Sequence, residues 1–392
     1  MLRLAYFSPV PSQRTGIADY SADLLPQLAS LADVTLFSDS TSQHTESTLG
    51  DITVRHPREF QESRWNYDMA LYQMGNSLHH TGIYATAIRN PGIVVLHDYT
   101  LHHFVASVTA GKGDFPKYLR EMTLEQGMEG ARRAWQIKNG APTPLYDIPL
   151  TAGLIGRSVG ILVHSEYARQ LVSQRHPRSR VAQVSQPIPL PPLLDKSYLR
   201  TKLDIPREAF VVITCGINTP EKRIDVVSDT LDAFRELHPD TIWLKSGGKA
   251  AEAAPESATD SLRDWVIDVG YIDSLQKLSD YLMASDVCIN LRHPTSGETS
   301  ASCLRALASG TPVVVSDEGW YRELPFDCCP RVVHNGTETV QLEAILDSWH
   351  SDRALHLAAS RSARQHMADN FQPRNTASAY IEFIESVLRY EV

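Results

Sequence analysis

The residues able to do chemistry gather in a few short stretches. The segment PTSGETSASCLRALASGTPVVVSD, residues 294–317, sets an acid, Glu298, and two hydroxyls, Thr299 and Ser300, ahead of small residues at helical spacing. A helix start carries backbone N–H groups with no intrahelical partner. Thr299 and Ser300 are expected in that first turn, where a phosphate binds without needing a side-chain cation. Glu298 does not favour a phosphate, but it suits the gripping of hydroxyl groups. A site for an anion and for hydroxyls together describes a sugar nucleotide. Read alone, Glu298 is also an ordinary acid facing a helix dipole.

A second stretch, GINTPEKRIDVV, follows the apolar run FVVITC and puts Lys222 and Arg223 just before another helical pattern. Two cations there can neutralise a diphosphate; in isolation they read equally well as solvated charges. In FSPVPSQRTGIADYSADLL, Gly16 marks a turn between the first strand and a helix, and G-x-G-x-x-G occurs nowhere in the chain. HDYTLHH carries His97, Asp98, His102 and His103, with His79 and His80 upstream. His97 and Asp98 end a strand while the later pair falls on a helix, and no Cys or Glu completes a ligand set, so no metal is expected. These histidines are assigned to the surface or to the acceptor side. QMGNS places Gly75 and Asn76 at another strand end, either lining a cleft or making a plain turn. His164 opens HSEYARQLV, in which Ser165 reads as a helix N-cap and Glu166 as a first-turn charge.

Positioning these groups falls to alternating strands and helices. Strand patterns cover residues 2–7, 34–37, 52–55, 69–72, 93–96 and 160–163, with helical patterns over 17–29 and 167–175. The Pro-rich run QVSQPIPLPPLLDKS breaks the alternation. A second series follows: strands 210–215, 241–245, 265–269, 287–291 and 312–316, and helices 224–237, 275–284 and 299–308. An amphipathic helix is expected over 376–389. This pattern predicts an α/β chain of two doubly wound domains facing a cleft, with ligands at the carboxyl ends of strands. The boundaries are drawn at 1–185, a linker at 186–208, a second domain at 209–371, and a C-terminal helix at 372–392 that packs back toward the first domain.

Composition narrows the class. The chain of 392 residues is 42% hydrophobic and 21% charged, which suits two soluble globular cores. Residues 1–185 hold 17 Lys+Arg against 16 Asp+Glu, and the remainder holds 20 against 30. Neither half is basic enough for nucleic acid to be a main partner. The near-neutral first half approaches an anionic membrane or lipid phosphate more easily than the acidic second, which allows peripheral membrane contact. The apolar runs are strand-sized and MLRLAYFSPV turns polar too soon for a signal peptide. Five cysteines, all in the second half and without metal-type spacing, fit a cytoplasmic location, and the Cys328–Cys329 pair reads as structural.

Taken together, the N-terminal P-x-x-R-x-G-I-A-D-Y-S, the strand end VVLHD, TPEKRID, PTSGETS…RALASGTPVVVSD and WYRELP resemble the glycosyltransferases of family 4 over nearly the whole chain. The resemblance implies the GT-B fold of two Rossmann-like domains. It also implies retaining sugar transfer from a nucleoside diphosphate sugar, without metal or covalent cofactor, to a glycan or lipid-linked acceptor in surface polysaccharide synthesis. It places Gly16 beside the donor phosphates, Lys222 on the diphosphate and His97 near the transferred sugar, with Asn76, Asp98 and His164 on the acceptor side. Two departures stand out. Where the family carries two glutamates separated by seven residues, this chain has Gly297 and Arg305, with an acid one place along at Glu298. Where many relatives have an arginine five residues before the lysine, it has Ile217. Phosphate charge then falls to Lys222, Arg223, Arg292 and helix ends. Arg305 can reach a phosphate but cannot accept a hydrogen bond from ribose. Other expectations compatible with the pattern are a GT-B sugar-nucleotide epimerase, a glycogen-synthase-like polymerase, and a binding protein that has lost turnover.

Overall fold

Short runs of buried apolar residues make the frame of both halves. The computed structural model describes residues 1–13, 15–39, 52–143, 145–248 and 263–389; Arg14 of the N-terminal motif lies outside them. One unit comprises Met1–Pro187, Ser296–Thr299 and Pro373–Val392, and the other Ile188–Thr295 and Ser300–Gln372.

The first unit holds a seven-stranded parallel sheet: β1 (Arg3–Phe7), β2 (Asp33–Phe37), β3 (Thr53–Arg55), β4 (Met69–Met74), β5 (Ile93–Leu96), β6 (Gly160–Val163) and β7 (Val181–Gln183). Its order is β3-β2-β1-β4-β5-β6-β7. Successive residues of a strand face opposite sides. Phe7, Tyr72, Val94 and Val163 therefore enter one core, while Tyr6, Leu71, Val95 and Leu162 enter another. Apolar burial on both faces is what a parallel sheet covered by helices requires. The expected C-terminal helix forms as Pro373–Leu388 and buries Ala377, Tyr380, Ile384 and Val387 in the second of these cores.

The second unit repeats the plan with six strands: β8 (Phe210–Cys215), β9 (Thr241–Ser246), β10 (Val266–Gly270), β11 (Val287–Asn290), β12 (Val313–Ser316) and β13 (Arg331–Val332). Their order is β10-β9-β8-β11-β12-β13, again parallel. Phe210, Val212 and Trp243 supply one face, and Val211, Ile213 and Leu244 the other. All five cysteines are free and buried, and all belong to the same core of this unit. Truncating a fully buried aromatic such as Phe234 to alanine is expected to cost about 3–5 kcal/mol.

Both sheets reverse their strand order once, at β1/β4 and at β8/β11. Parallel sheets bind ligands outside the carboxyl ends of strands at such points. The loop after β1 leads into the helix that begins at Gly16, and the loops after the other three strands contain Asn76, Lys222 and residues 291–300.

Several local features depart from the sequence expectation. The helix expected over 299–308 begins at Ala301, because Ser300 spends its hydroxyl capping the N–H of Cys303 at 3.3 Å. Thr299 and Ser300 therefore precede the first turn rather than occupy it. Within the Pro-rich linker, Asp195 caps a short helix, Lys196–Lys202, by accepting from the Tyr198 N–H. The helix Phe115–Lys138, not anticipated at all, reverses at Gln126 and Gly127, where Gly127 has φ 61°. Its arms run back alongside each other, bringing the rings of Phe115 and Trp135 to 4.9 Å.

Candidate active site

At the end of β8 the chain makes a tight turn that delivers a lysine. Gly216 has φ 92°, a left-handed conformation open to glycine, and a side chain there would collide with the Lys222 ammonium. Lys222 closes the 3-10 turn Pro220–Lys222, and its Nζ donates to the Cys215 carbonyl at 2.9 Å. The residue is half-buried, and its ammonium lies against the Gly216 turn. Desolvation, and then the nearby charge of Arg292, push its pKa down to about 8. Arg292 follows β11, with its backbone N–H held by Ser316 Oγ at 2.8 Å. The charge of Arg292, on the loop after β11, thus bears on the Lys222 ammonium after the neighbouring β8.

Arg223 has a different setting. It sits at φ 52° as the N-cap residue of helix Ile224–Leu237. Its guanidinium turns to His334 Nδ1 at 2.8 Å and Glu338 at 3.6 Å. His334 also pairs with Glu338 and stacks on His293, whose Nδ1 lies 2.8 Å from Glu318. This site residue is therefore engaged by carboxylate, whereas the chief influences on Lys222 are desolvation and a second cation, opposed by the Cys215 and Cys288 thiols. Beside the lysine turn a pocket opens, lined by Cys215, Gly216, Asn218, Lys245, Gly248 and Asp268 among others. Lys245, Gly248 and Asp268 went unnoticed in the sequence, although their positions at the ends of β9 and β10 are a signal that strand spacing alone provides.

In the first unit the strand ends carry neutral polar groups. His97, just past β5, is buried and bonds through Nε2 to Gln73 Oε1 at 2.7 Å. Its ring meets Tyr20 edge-on at 4.6 Å and lies 4.7 Å from His164. Burial chiefly holds the His97 pKa well below the usual imidazole range, and burial brings His80 and His164 to about 4. Gly75 lets these groups converge: a Cβ there would strike Ile17 and stand 2.9 Å from His80 Nε2 and 3.2 Å from Asp98 Oδ2. Asn76 donates its N–H to Asp98 and accepts from the Phe104 N–H, tying two loops together. Gly16 starts its helix behind the N-cap Thr15, and a Cβ at Gly16 would enter open space. The fold therefore does not demand glycine there. His102 is committed to the Ile148 carbonyl and the Tyr118 hydroxyl, and His79 and His103 stay exposed. No group of three His, Cys, Asp or Glu among the described residues is arranged to hold a metal ion.

Residues 296–299, which pack in the first unit, leave no room for an acidic side chain at Gly297. Gly297 has φ 80°, and a Cβ there would lie 2.6 Å from Tyr99 Cβ, so any side chain at this place is excluded by crowding and strain. Glu298 bends its carboxylate back to the Ser296 N–H at 2.8 Å and the Ser296 hydroxyl at 2.7 Å. The same hydroxyl lies 3.1 Å from Asp98. Thr299 is fastened to Gln186 through its hydroxyl and carbonyl. Ser300 donates to Asn290 at 3.0 Å. Arg305 is buried in helix Ala301–Ala308, and Ile217 is exposed.

No family model matches the sequence, and no curated protein matches it. Solved structures do resemble it in fold. HepE of Anabaena, solved with UDP and glucose, superposes with a TM-score of 0.69 at 14% identity, covering 98% of this chain and 100% of that one. Sucrose-phosphate synthase of Thermosynechococcus elongatus gives 0.67 at 14% identity, with 100% of each chain covered. WaaG, a glycosyltransferase involved in lipopolysaccharide biosynthesis, gives 0.62 at 12%, covering 98% and 99%. At such identities the likeness speaks for the fold, two Rossmann-like domains of the GT-B type.

Proposed function

We propose that this chain is a retaining, metal-independent glycosyltransferase that moves a sugar from a nucleoside diphosphate sugar to a glycan or lipid-linked acceptor of a surface polysaccharide. The observation that carries the reading is the electrostatics at the end of β8. Lys222 is held desolvated beside a second cation, Arg292, at the sheet's switch point and next to a pocket. Charge of this kind costs free energy until an anion arrives, and a diphosphate is the anion that the neighbouring helix ends also favour. The UDP and UDP-glucose complexes of HepE support UDP-linked sugars as first probes.

As the bond from the sugar to the diphosphate breaks, its electrons pass to the departing phosphate oxygen, and Lys222 and Arg292 stabilise that charge. The acceptor oxygen joins the sugar on the face the diphosphate leaves, and its proton goes to the phosphate. Gly16 lets a phosphate approach a helix N-terminus, while His97 and Asp98 meet sugar and acceptor hydroxyls and Glu298 braces the loop that holds them.

A second reading is favoured by Gly297 and Arg305, which stand where the family's acids would be: a nucleotide-sugar-binding protein without turnover. Incubation with UDP-glucose decides between them. Release of UDP that survives EDTA supports the transferase; a raised melting temperature with no UDP released supports the binder.

A further inference from the structure

The packing around His97 carries one step more, and it rests on the role proposed for His97 above. Two of its neighbours have their tautomers set by main-chain carbonyls, which only accept hydrogen bonds. His80 Nδ1 lies 3.1 Å from the Gln73 carbonyl, and His164 Nδ1 lies 3.1 Å from the Val184 carbonyl. Both therefore carry the proton at Nδ1. His97 is set the other way by a side chain. Its Nε2 faces Gln73 Oε1, an amide oxygen that also only accepts, on a β4 residue with no solvent exposure. The amide's other end, Nε2, has no partner in hydrogen-bond geometry, although the Tyr380 hydroxyl lies beside it. Tyr380 is itself fixed by the Tyr20 hydroxyl at 2.6 Å. The groups around the ring are thus Tyr20, Gln73, His80 and His164, with Tyr380 beside Tyr20 and Gln73 and with Asp98 next in the chain.

We propose that Gln73, braced by Tyr380 of the C-terminal helix, is a positioning residue that keeps the His97 proton on Nε2 and leaves Nδ1 as the acceptor for a substrate hydroxyl. Burial keeps the ring neutral, so the tautomer, rather than the charge, decides which atom accepts. With the opposite tautomer, Nδ1 would donate to the oxygen of the substrate hydroxyl instead of accepting its proton, reversing the bond.

The test is nitrogen-15 NMR of the full chain labelled at histidine, read with UDP-glucose turnover. Wild type should show His97 protonated at Nε2. Gln73→Leu should lose that preference and cut kcat by about 10- to 100-fold with KM for UDP-glucose little changed. Gln73→Glu keeps the acceptor and adds charge, so it should retain the tautomer and move the His97 titration upward by about one pH unit or more. Tyr380→Phe should show a smaller shift in the same direction as Gln73→Leu. A wild-type ring protonated at Nδ1 overturns the proposal, as does a tautomer unchanged in Gln73→Leu. Should His97→Ala lose turnover while Gln73→Leu keeps it, the positioning role alone falls. Full turnover in His97→Ala removes His97 from the reaction and this proposal with it.

Discussion

At the switch point of the first sheet the groups packed around His97 are uncharged: three imidazoles, each facing a carbonyl or amide oxygen, the Gln73 amide, and the Tyr20 and Tyr380 hydroxyls bonded to each other. At the corresponding point of the second sheet, the turn from β8 and the loop after β11 bring Lys222 and Arg292 together, and burial lowers the lysine pKa to about 8. The same reversal of strand order therefore serves contrasting electrostatics. A neutral, hydrogen-bonding wall suits hydroxyls, whose recognition depends on geometry and tautomer. A pair of like charges suits an anion, whose arrival relieves their repulsion.

The sharpest way to break this comparison is Lys222→Ala. Turnover of UDP-glucose should fall by about 100-fold or more, and the UDP-induced rise in melting temperature should vanish. The unliganded protein should melt no lower, because the substitution removes a desolvated charge. Retained UDP binding would sink the anion site.

The pH dependence of UDP affinity comes next. Since the folded pKa of Lys222 is lowered to about 8, the cation is lost as pH rises through that value. Affinity should then weaken about tenfold per pH unit above it. Stability of the free protein moves oppositely. The unfolded lysine holds its proton up to its ordinary value of 10.5, so the penalty of burying the charge is present below pH 8 and lifts between 8 and 10.5. Titration calorimetry of UDP from pH 7 to 9.5 and melting curves over the same range check both signs.

In the first unit, Gly297→Glu installs the acid that the resemblance to family 4 leads one to expect at this place. Left-handed strain and the Tyr99 contact should instead cost about 1–3 kcal/mol, seen as a lower melting temperature without gain of activity. An active, unshifted variant would show that the turn relaxes. The smallest effect is expected for Glu298→Gln. The amide still offers Ser296 an oxygen, so stability should hold, while catalytic efficiency falls about tenfold. Unaltered kinetics would show that the bracing of Ser296 by Glu298 does not bear on turnover.

Periodicity made much of the frame legible. Strands 93–96, 160–163 and 210–215 and helices 224–237 and 275–284 were read at their observed limits, because long apolar runs buried on both faces have few alternatives. The reversed helix 115–138 was not read, since a polar, kinked hairpin lacks a continuous stripe. Lys222 stood out as a cation after a strand, yet Arg223 beside it has an equal sequence claim and is turned to Glu338 instead. Gln73 offered no signal at all within a strand pattern.

The sequence by itself thus determined the layer architecture and the strand ends at which the candidate residues gather, because strand and helix periods are local properties of the chain. Only the tertiary structure decided which of those residues act on one another. Desolvation of Lys222, the crowding of Gly297 against Tyr99 and the pairing of Gln73 with His97 arise between residues distant in sequence or turned by a single backbone angle. Such energies depend on burial and on ångström-scale approach, and neither is written in spacing.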